Sequence, residues 1–263
     1  MFLSGLYIYP IKSVKSITLT EGTIEKRGLQ YDRRWMLIDN NNRFLTQREF
    51  PKLATISLSL EPTGLQARLN GQAPLLIPFV PAADSSVPVQ IWNSNCPAAL
   101  VGSEADGWFS EALGASVRLV YMPDETRRLV NPDVGDDIVS FADAYPFLLL
   151  TEASLDDLNS RLPESVGMER FRPNLVIKGA TPFAEDDWKE VSIGTTKFRV
   201  AKACSRCVMT TVDQERGVRT GEEPLRTLAS FRRFQNEVRF GQNLIAVDED
   251  TTISVGDQLT VVN

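Results

Sequence analysis

Two cysteines three positions apart, in Cys204-Ser205-Arg206-Cys207, are the residues of this chain best suited to chemistry. Such a pair can be a dithiol redox centre, half of a zinc site, or a loop that presents one reactive sulfur. A structural zinc needs about four N or S ligands, and only Cys96 is left to help, because the chain contains no histidine. That absence also removes Ser-His-Asp and Cys-His nucleophilic systems, histidine acid–base catalysis and every His-ligated metal. Chemistry here must use thiol, carboxylate, lysine or a cofactor. A thioredoxin-like dithiol belongs at a strand-to-helix turn. The residues after the pair, Val208-Met209-Thr210-Thr211-Val212-Asp213, are rich in β-branched side chains and read as strand, which argues against that reading. Arg206 sets a cation beside Cys207, a modest sign of a reactive sulfur. The bland alternative is that both cysteines are small core residues.

A second set of residues is cationic. Lys12-Ser13 follows a proline in a short loop, Asp32-Arg33-Arg34-Trp35 enters one strand, and Phe171-Arg172-Pro173-Asn174 enters another. Each places a cation beside hydroxyl, amide or backbone donors at a strand end, a suitable way to hold an anionic phosphate. Taken singly, each is better read as a solvated salt-bridge partner. The paired carboxylates Asp136-Asp137 and Asp186-Asp187 read as loop features.

The elements that must position these residues are mostly strands. Short apolar runs separated by Gly, Asn or Pro predict strands at 6–11, 18–25, 34–39, 53–60 and 65–69, then at 117–122, 174–177, 190–193, 196–201, 209–212, 244–247 and 252–262. Three helices are expected. One spans 106–113 with Asp106 as its cap, one is opened by Thr151 with Leu155, Leu158 and Leu162 at helical spacing, and one spans 224–234 behind Pro224. The fold class is mainly β with a few helices (α+β), in two lobes, 1–122 and 123–263. The boundary falls in the charged, weakly periodic stretch 123–139.

Composition narrows the partners. Over 263 residues, 34 acidic against 28 basic side chains give a net charge of −6, which repels nucleic acid and anionic membranes. Three cysteines form no disulfide framework and suit a reducing cytoplasm. The first ten residues lack the basic start of a signal peptide, and no apolar run approaches the roughly 20 residues that span a bilayer. The expectations are a cytoplasmic protein with no nucleic-acid or membrane partner.

Five motifs in order resemble the MOSC family, in particular its branch of amidoxime-reducing components and bacterial reductases of N-hydroxylated compounds. They are Tyr9-Pro10-Ile11-Lys12-Ser13, Asp32-Arg33-Arg34-Trp35, Phe171-Arg172-Pro173-Asn174, Cys204-Ser205-Arg206-Cys207 running on through Thr211-Val212-Asp213, and Phe240-Gly241-Gln242. The resemblance covers nearly the whole chain and implies an N-terminal β-rich lobe, a C-terminal MOSC β-barrel and a molybdenum–molybdopterin cofactor. It implies Cys207 as the catalytic residue and metal ligand. Lys12, Ser13, Arg33, Arg172 and Asn174 would hold the pterin and its phosphate, with Arg206 and Cys207 completing the cofactor site. The implied reaction reduces small N-oxygenated substrates. Because the chain ends at Asn263, where bacterial relatives often continue into an iron–sulfur domain, electrons are expected from a separate protein of ferredoxin, flavodoxin or cytochrome type. The alternative function is a sulfur carrier or cofactor-handling protein using a Cys207 persulfide, and a third is a metal-free dithiol protein. One motif departs from the family: its Thr-Val-Asp-Pro reads Thr211-Val212-Asp213-Gln214.

Overall fold

The N-terminal strand is built into the sheet of the C-terminal half. In the computed structural model, which describes residues 1–81, 85–130 and 135–262, the largest sheet runs Ile17–Leu19, Phe2–Ile8, Leu175–Lys178, Phe147–Thr151, Glu237–Ala246, Thr196–Ser205, Glu190–Ile193, Leu259–Val262. Neighbours are antiparallel except Phe147–Thr151 and Leu175–Lys178, which run parallel. A parallel return needs a crossover, and helix α2, Glu152–Asn159, lies within that connection. Thr151 caps it as expected, its hydroxyl accepting the Ser154 N–H. Backbone bonds from Leu259 to Met1 (2.9 Å) and from Gly256 to Leu3 (2.8 Å) draw the first strand and the last together. Leu3, Leu6, Phe147, Leu149, Leu175, Phe198 and Leu244 fill the core beneath this sheet.

The other core belongs to a four-stranded sheet in the order Trp35–Ile38, Arg118–Tyr121, Ser94–Leu100, Ser86–Ile91. A three-stranded meander of Ser57–Glu61, Gly64–Arg68 and Leu75–Pro78 accompanies it. Trp35, Leu37, Leu65, Ile77 and Phe109 are buried together here, with Phe109 supplied by helix α1, Ser103–Leu113. A third helix, α3 (Leu225–Phe231), buries Leu228 against Leu158, Phe171 and Phe240.

Several local expectations are corrected. Asp106 lies inside α1, which begins at Ser103; its carboxylate instead accepts the Leu119 N–H (2.8 Å) and ties the helix to the sheet. The run 53–60 divides into a 3-10 turn, Pro51–Thr55, and the strand Ser57–Glu61. The third helix stops at Phe231 because Arg233–Phe234 pairs with Glu237–Ala246. The run 209–212 is mostly a 3-10 turn, Val208–Thr211. Thr210 and Thr211 donate their hydroxyls to the carbonyls of Cys207 (3.0 Å) and Val208 (2.7 Å), a local satisfaction that competes with strand pairing. The run 252–262 breaks at Gly256, whose φ of 101° suits glycine. The strands at 75–78, 86–91 and 94–100 carry no clear sequence signal.

The stretch between the lobes, of which residues 131–134 lie outside the described part, is held by buried Arg128. Its guanidinium donates to the carbonyls of Ser140 (2.7 Å), Ala142 (2.7 Å) and Asp143 (3.2 Å) and to the Ser94 hydroxyl (2.9 Å). Phe141 is fully buried among Met36, Ile38, Val89 and Ile91. The loop 140–143 is thus fastened to the N-terminal lobe. Arg128→Met leaves buried carbonyls without donors and should lower unfolding free energy by about 3 kcal/mol. Urea denaturation measures it; a loss below about 1 kcal/mol would show that Arg128 does not hold the loop.

Candidate functional site

All seven residues singled out in the sequence, Lys12, Ser13, Arg33, Arg172, Asn174, Arg206 and Cys207, line one cleft. It lies between the loop 140–145, the turn after Ile11, the entry to the strand Leu175–Lys178 and the end of the strand Thr196–Ser205. Its cavity of about 280 Å³ has room for more than a metal ion alone.

The floor is the cysteine loop. Thr196–Ser205 runs further than expected, so Cys204 is the penultimate residue of a strand while Cys207 starts the 3-10 turn. Both are free thiols with partly exposed side chains. Each sulfur has its own guanidinium. Arg206 donates to Cys204 Sγ (3.0 Å) and to the Phe171 carbonyl (2.7 Å), so it does not serve the cysteine next to it in sequence. Cys207 Sγ instead accepts from Arg48 Nη2 at 3.1 Å. Arg48 escapes sequence reading because a single arginine in Thr46-Gln47-Arg48 carries no pattern.

The wall is cationic and organised around Tyr9. The guanidiniums of Arg33 and Arg172 lie 4.4 and 4.1 Å from the centroid of that one ring. Arg33 donates to Asp32 (2.6 Å), to Asn174 Oδ1 (3.0 Å) and to the Arg172 carbonyl (3.3 Å), and Arg172 donates to the Val14 carbonyl (2.9 Å). Asn174, nearly fully buried, spends its amide on the protein. Its oxygen also accepts the Leu148 N–H (3.2 Å), and its nitrogen donates to the Tyr7 carbonyl (3.1 Å). It therefore orients Arg33 and joins three segments. Ser13, Arg33 and Arg172 all have positive φ, at 68°, 50° and 57°. Non-glycine residues hold that conformation at a cost, and such strain clusters where side chains must be aimed.

Lys12 is buried too. It donates to the Phe141 carbonyl (2.8 Å) and pairs with Asp143, which leaves the third N–H of its ammonium unassigned. Burial lowers its pKa to about 8, against the raising pull of Asp143. Asp143 is half-exposed; what burial it has raises its pKa, but Lys12, then Arg48 and Trp92, outweigh this and hold the carboxyl well below the usual carboxylate range. Burial likewise lowers Arg172 to about 10, with Arg33 adding to the shift.

These donors fit a cofactor that is anionic and thiolate-bound. Arg206 Nε is buried with no partner among the described residues, which marks a donor held ready for a group not made of protein. Among the described residues no cluster of three or more His, Cys, Asp and Glu could cage a metal, so a metal at Cys207 would draw its other ligands from a cofactor. Soft sulfur suits molybdenum held by a dithiolene, and the cationic wall suits its phosphate.

The chain matches the family model of the MOSC domain over residues 136–260 and that of the MOSC N-terminal beta barrel domain over residues 1–116. It is 37% identical to mitochondrial amidoxime-reducing component 1 of Mus musculus, across 97% of this chain and 80% of the relative. Against the Homo sapiens protein of that name identity is 34%, across 97% and 81%. Against mitochondrial amidoxime reducing component 2 of Homo sapiens it is 35%, across 88% and 72%. Among the described residues no helix is long and apolar enough to cross a membrane.

The lowered pKa of Lys12 gives the cleft a pH dependence. Below about 8 the lysine is charged and attracts anions; as pH rises through that value the charge is lost, while Arg172, lowered only to about 10, keeps its own. The ratio of pyrophosphate affinity in the wild type to that in Lys12→Met, which cancels the ligand's own ionisation, should fall across pH 8 when measured by calorimetry. Asp143→Asn, which removes the raising influence, should move the midpoint lower; an unmoved midpoint would mean that another group titrates.

Proposed function

The chain belongs to the MOSC family, and from that premise we propose that it is a molybdenum-cofactor-dependent reductase of N-hydroxylated and other N-oxygenated compounds. The observation that carries the reading is the meeting, in one cleft, of a partly exposed Cys207 sulfur with Lys12, Arg33, Arg172 and Arg206. The relatives named as amidoxime-reducing components support the substrate class. A chain without histidine cannot use a His-ligated redox metal.

In this reading Cys207 is the protein's ligand to molybdenum. Lys12, Ser13, Arg33 and Arg172 hold the phosphate end of the cofactor, Asn174 fixes the direction of Arg33, and Arg206 offers its free Nε–H. When bound, the molybdenum–molybdopterin group supplies the two-electron reduction of an N–O bond. The overall change consumes two electrons and two protons, converts N–OH to N–H and releases water. The electrons come from a separate donor protein of ferredoxin, flavodoxin or cytochrome type. The chain's own work is positional. Buried cations fixed by backbone carbonyls need little rearrangement to receive an anion, and Arg48 keeps its positive charge beside the Cys207 sulfur. We place this reductase in the cytoplasm, whose reducing conditions suit its three thiols, although the relatives' names carry the word mitochondrial.

The test is metal content, by elemental analysis, of protein from a host that makes the cofactor. Wild type and Cys204→Ser should carry near-stoichiometric molybdenum and reduce an amidoxime with a chemical or protein donor. Cys207→Ser should lose turnover by at least about 10³-fold, as expected for removal of a group at the reacting centre. Molybdenum absent from all three proteins, with sulfane sulfur on Cys207, would replace the reductase by a sulfur carrier.

A further inference from the structure

Trp92 lies outside the motifs that mark the site and does not itself line the cleft, yet it is hydrogen-bonded to Asp143, which does. It is the first of two residues in the loop that joins the strands Ser86–Ile91 and Ser94–Leu100, and its φ is 51° while Asn93 has no positive φ. Two-residue hairpin loops with positive φ at the first position ordinarily place glycine there. A large aromatic kept in that conformation, with 45% of its surface exposed, is an outlier in both backbone and burial.

The indole is nonetheless held on several sides. Its Nε1–H donates to Asp143 Oδ1 (3.2 Å), Phe44 meets it edge-on at 5.0 Å between centroids, and the Arg48 guanidinium lies 4.8 Å from its ring. Arg48 in turn donates to Cys207 Sγ, and Lys12 pairs with Asp143 and lies 5.2 Å from the Phe44 ring. Trp92 is thus one residue removed from the sulfur on one side and from the buried lysine on the other. Its orientation is set while nearly half its surface is free.

We propose that Trp92 is a specificity-determining residue, the aromatic platform on which planar, conjugated N-oxygenated substrates stack at the mouth of the cleft. The inference rests on the reductase reading. Amidoximes and hydroxyguanidines attached to an aryl group are flat and polarisable, and a fixed indole beside a guanidinium offers them stacking with a positively charged neighbour. Substrates such as hydroxylamine are too small to use that surface.

The experiment compares wild type, Trp92→Phe and Trp92→Ala as molybdenum-loaded protein, using benzamidoxime and hydroxylamine. In Trp92→Ala the ratio of kcat/KM for benzamidoxime to that for hydroxylamine should fall about tenfold, chiefly through KM, the size of a stacking contact. Trp92→Phe, which keeps a ring but loses the N–H to Asp143, should recover most of the ratio. An unchanged ratio, including one in which both substrates lose turnover equally, would overturn the assignment and leave Trp92 as a support for Arg48. Calorimetric titration of benzamidoxime into the same proteins separates this from the reductase reading. If loaded wild type turns over neither substrate, the reductase reading fails, yet roughly tenfold weaker binding to Trp92→Ala would still support the platform. Equal binding, or none to wild type, would overturn it.

Discussion

Arg33 and Arg172 press against one tyrosine ring, and much of the surrounding structure deals with the consequences. Two guanidiniums close enough to share Tyr9 repel one another, and burial removes the water that would screen them. Asp32, almost fully buried, answers with a carboxylate that accepts both the Tyr9 N–H (2.8 Å) and Arg33 (2.6 Å). Burial raises the pKa of Asp32, and the charge and hydrogen bond of Arg33 offset that rise only in part. Backbone carbonyls of Val14 and Arg172 take the remaining load. Positive charge assembled in this way is costly, and under the proposed function a cofactor phosphate would relieve the repulsion.

This requirement explains the path of the chain. The first strand joins the C-terminal sheet, so the turn after Ile11 and the entry at Arg33 emerge beside Arg172 and Asn174. The backbone fixes this meeting: Lys12 N–H donates to Trp35 (2.8 Å), Trp35 N–H to Pro10 (3.0 Å) and Arg33 N–H to Tyr9 (3.0 Å). Asn174, bonded to Tyr7, Leu148 and Arg33, closes the arrangement from the other half. One polar side chain that satisfies three segments is a stringent device, because moving any segment leaves a buried amide unpaired.

Much of this was legible in the sequence. The β-rich class follows from short apolar runs broken by Gly, Asn and Pro, and the three helices from caps and spacing, whereas a common site for the seven chemistry-bearing residues was implied by the family resemblance alone, since each cation taken singly reads as a salt-bridge partner. Other features were not. Arg48 and Trp92 reach the site through tertiary placement alone, one from a loop with no local pattern and the other from a hairpin tip where glycine would be expected. Arg206 was read as the neighbour of Cys207, yet a strand ending and a turn beginning between the two cysteines send its side chain to Cys204. Val208 to Val212 read as strand because β-branched residues favour it, and the hydroxyls that fold this run into a turn act at a range that a propensity does not register.

The cysteine pair shows why spacing is a weaker guide than environment. As a CxxC it suggests two equivalent sulfurs that could trade electrons. The fold gives them unlike settings: Cys204 ends a strand and is held by a guanidinium from its own loop, whereas Cys207 opens a turn and takes a guanidinium from the N-terminal lobe. A dithiol centre would draw both sulfurs into one bond and compete with both of these guanidinium contacts. A single metal-binding sulfur requires only that Cys207 stay where Arg48 holds it. The contact between lobes therefore aligns the cleft with one cysteine, and the metal-ligand reading is more compatible with this arrangement than disulfide exchange.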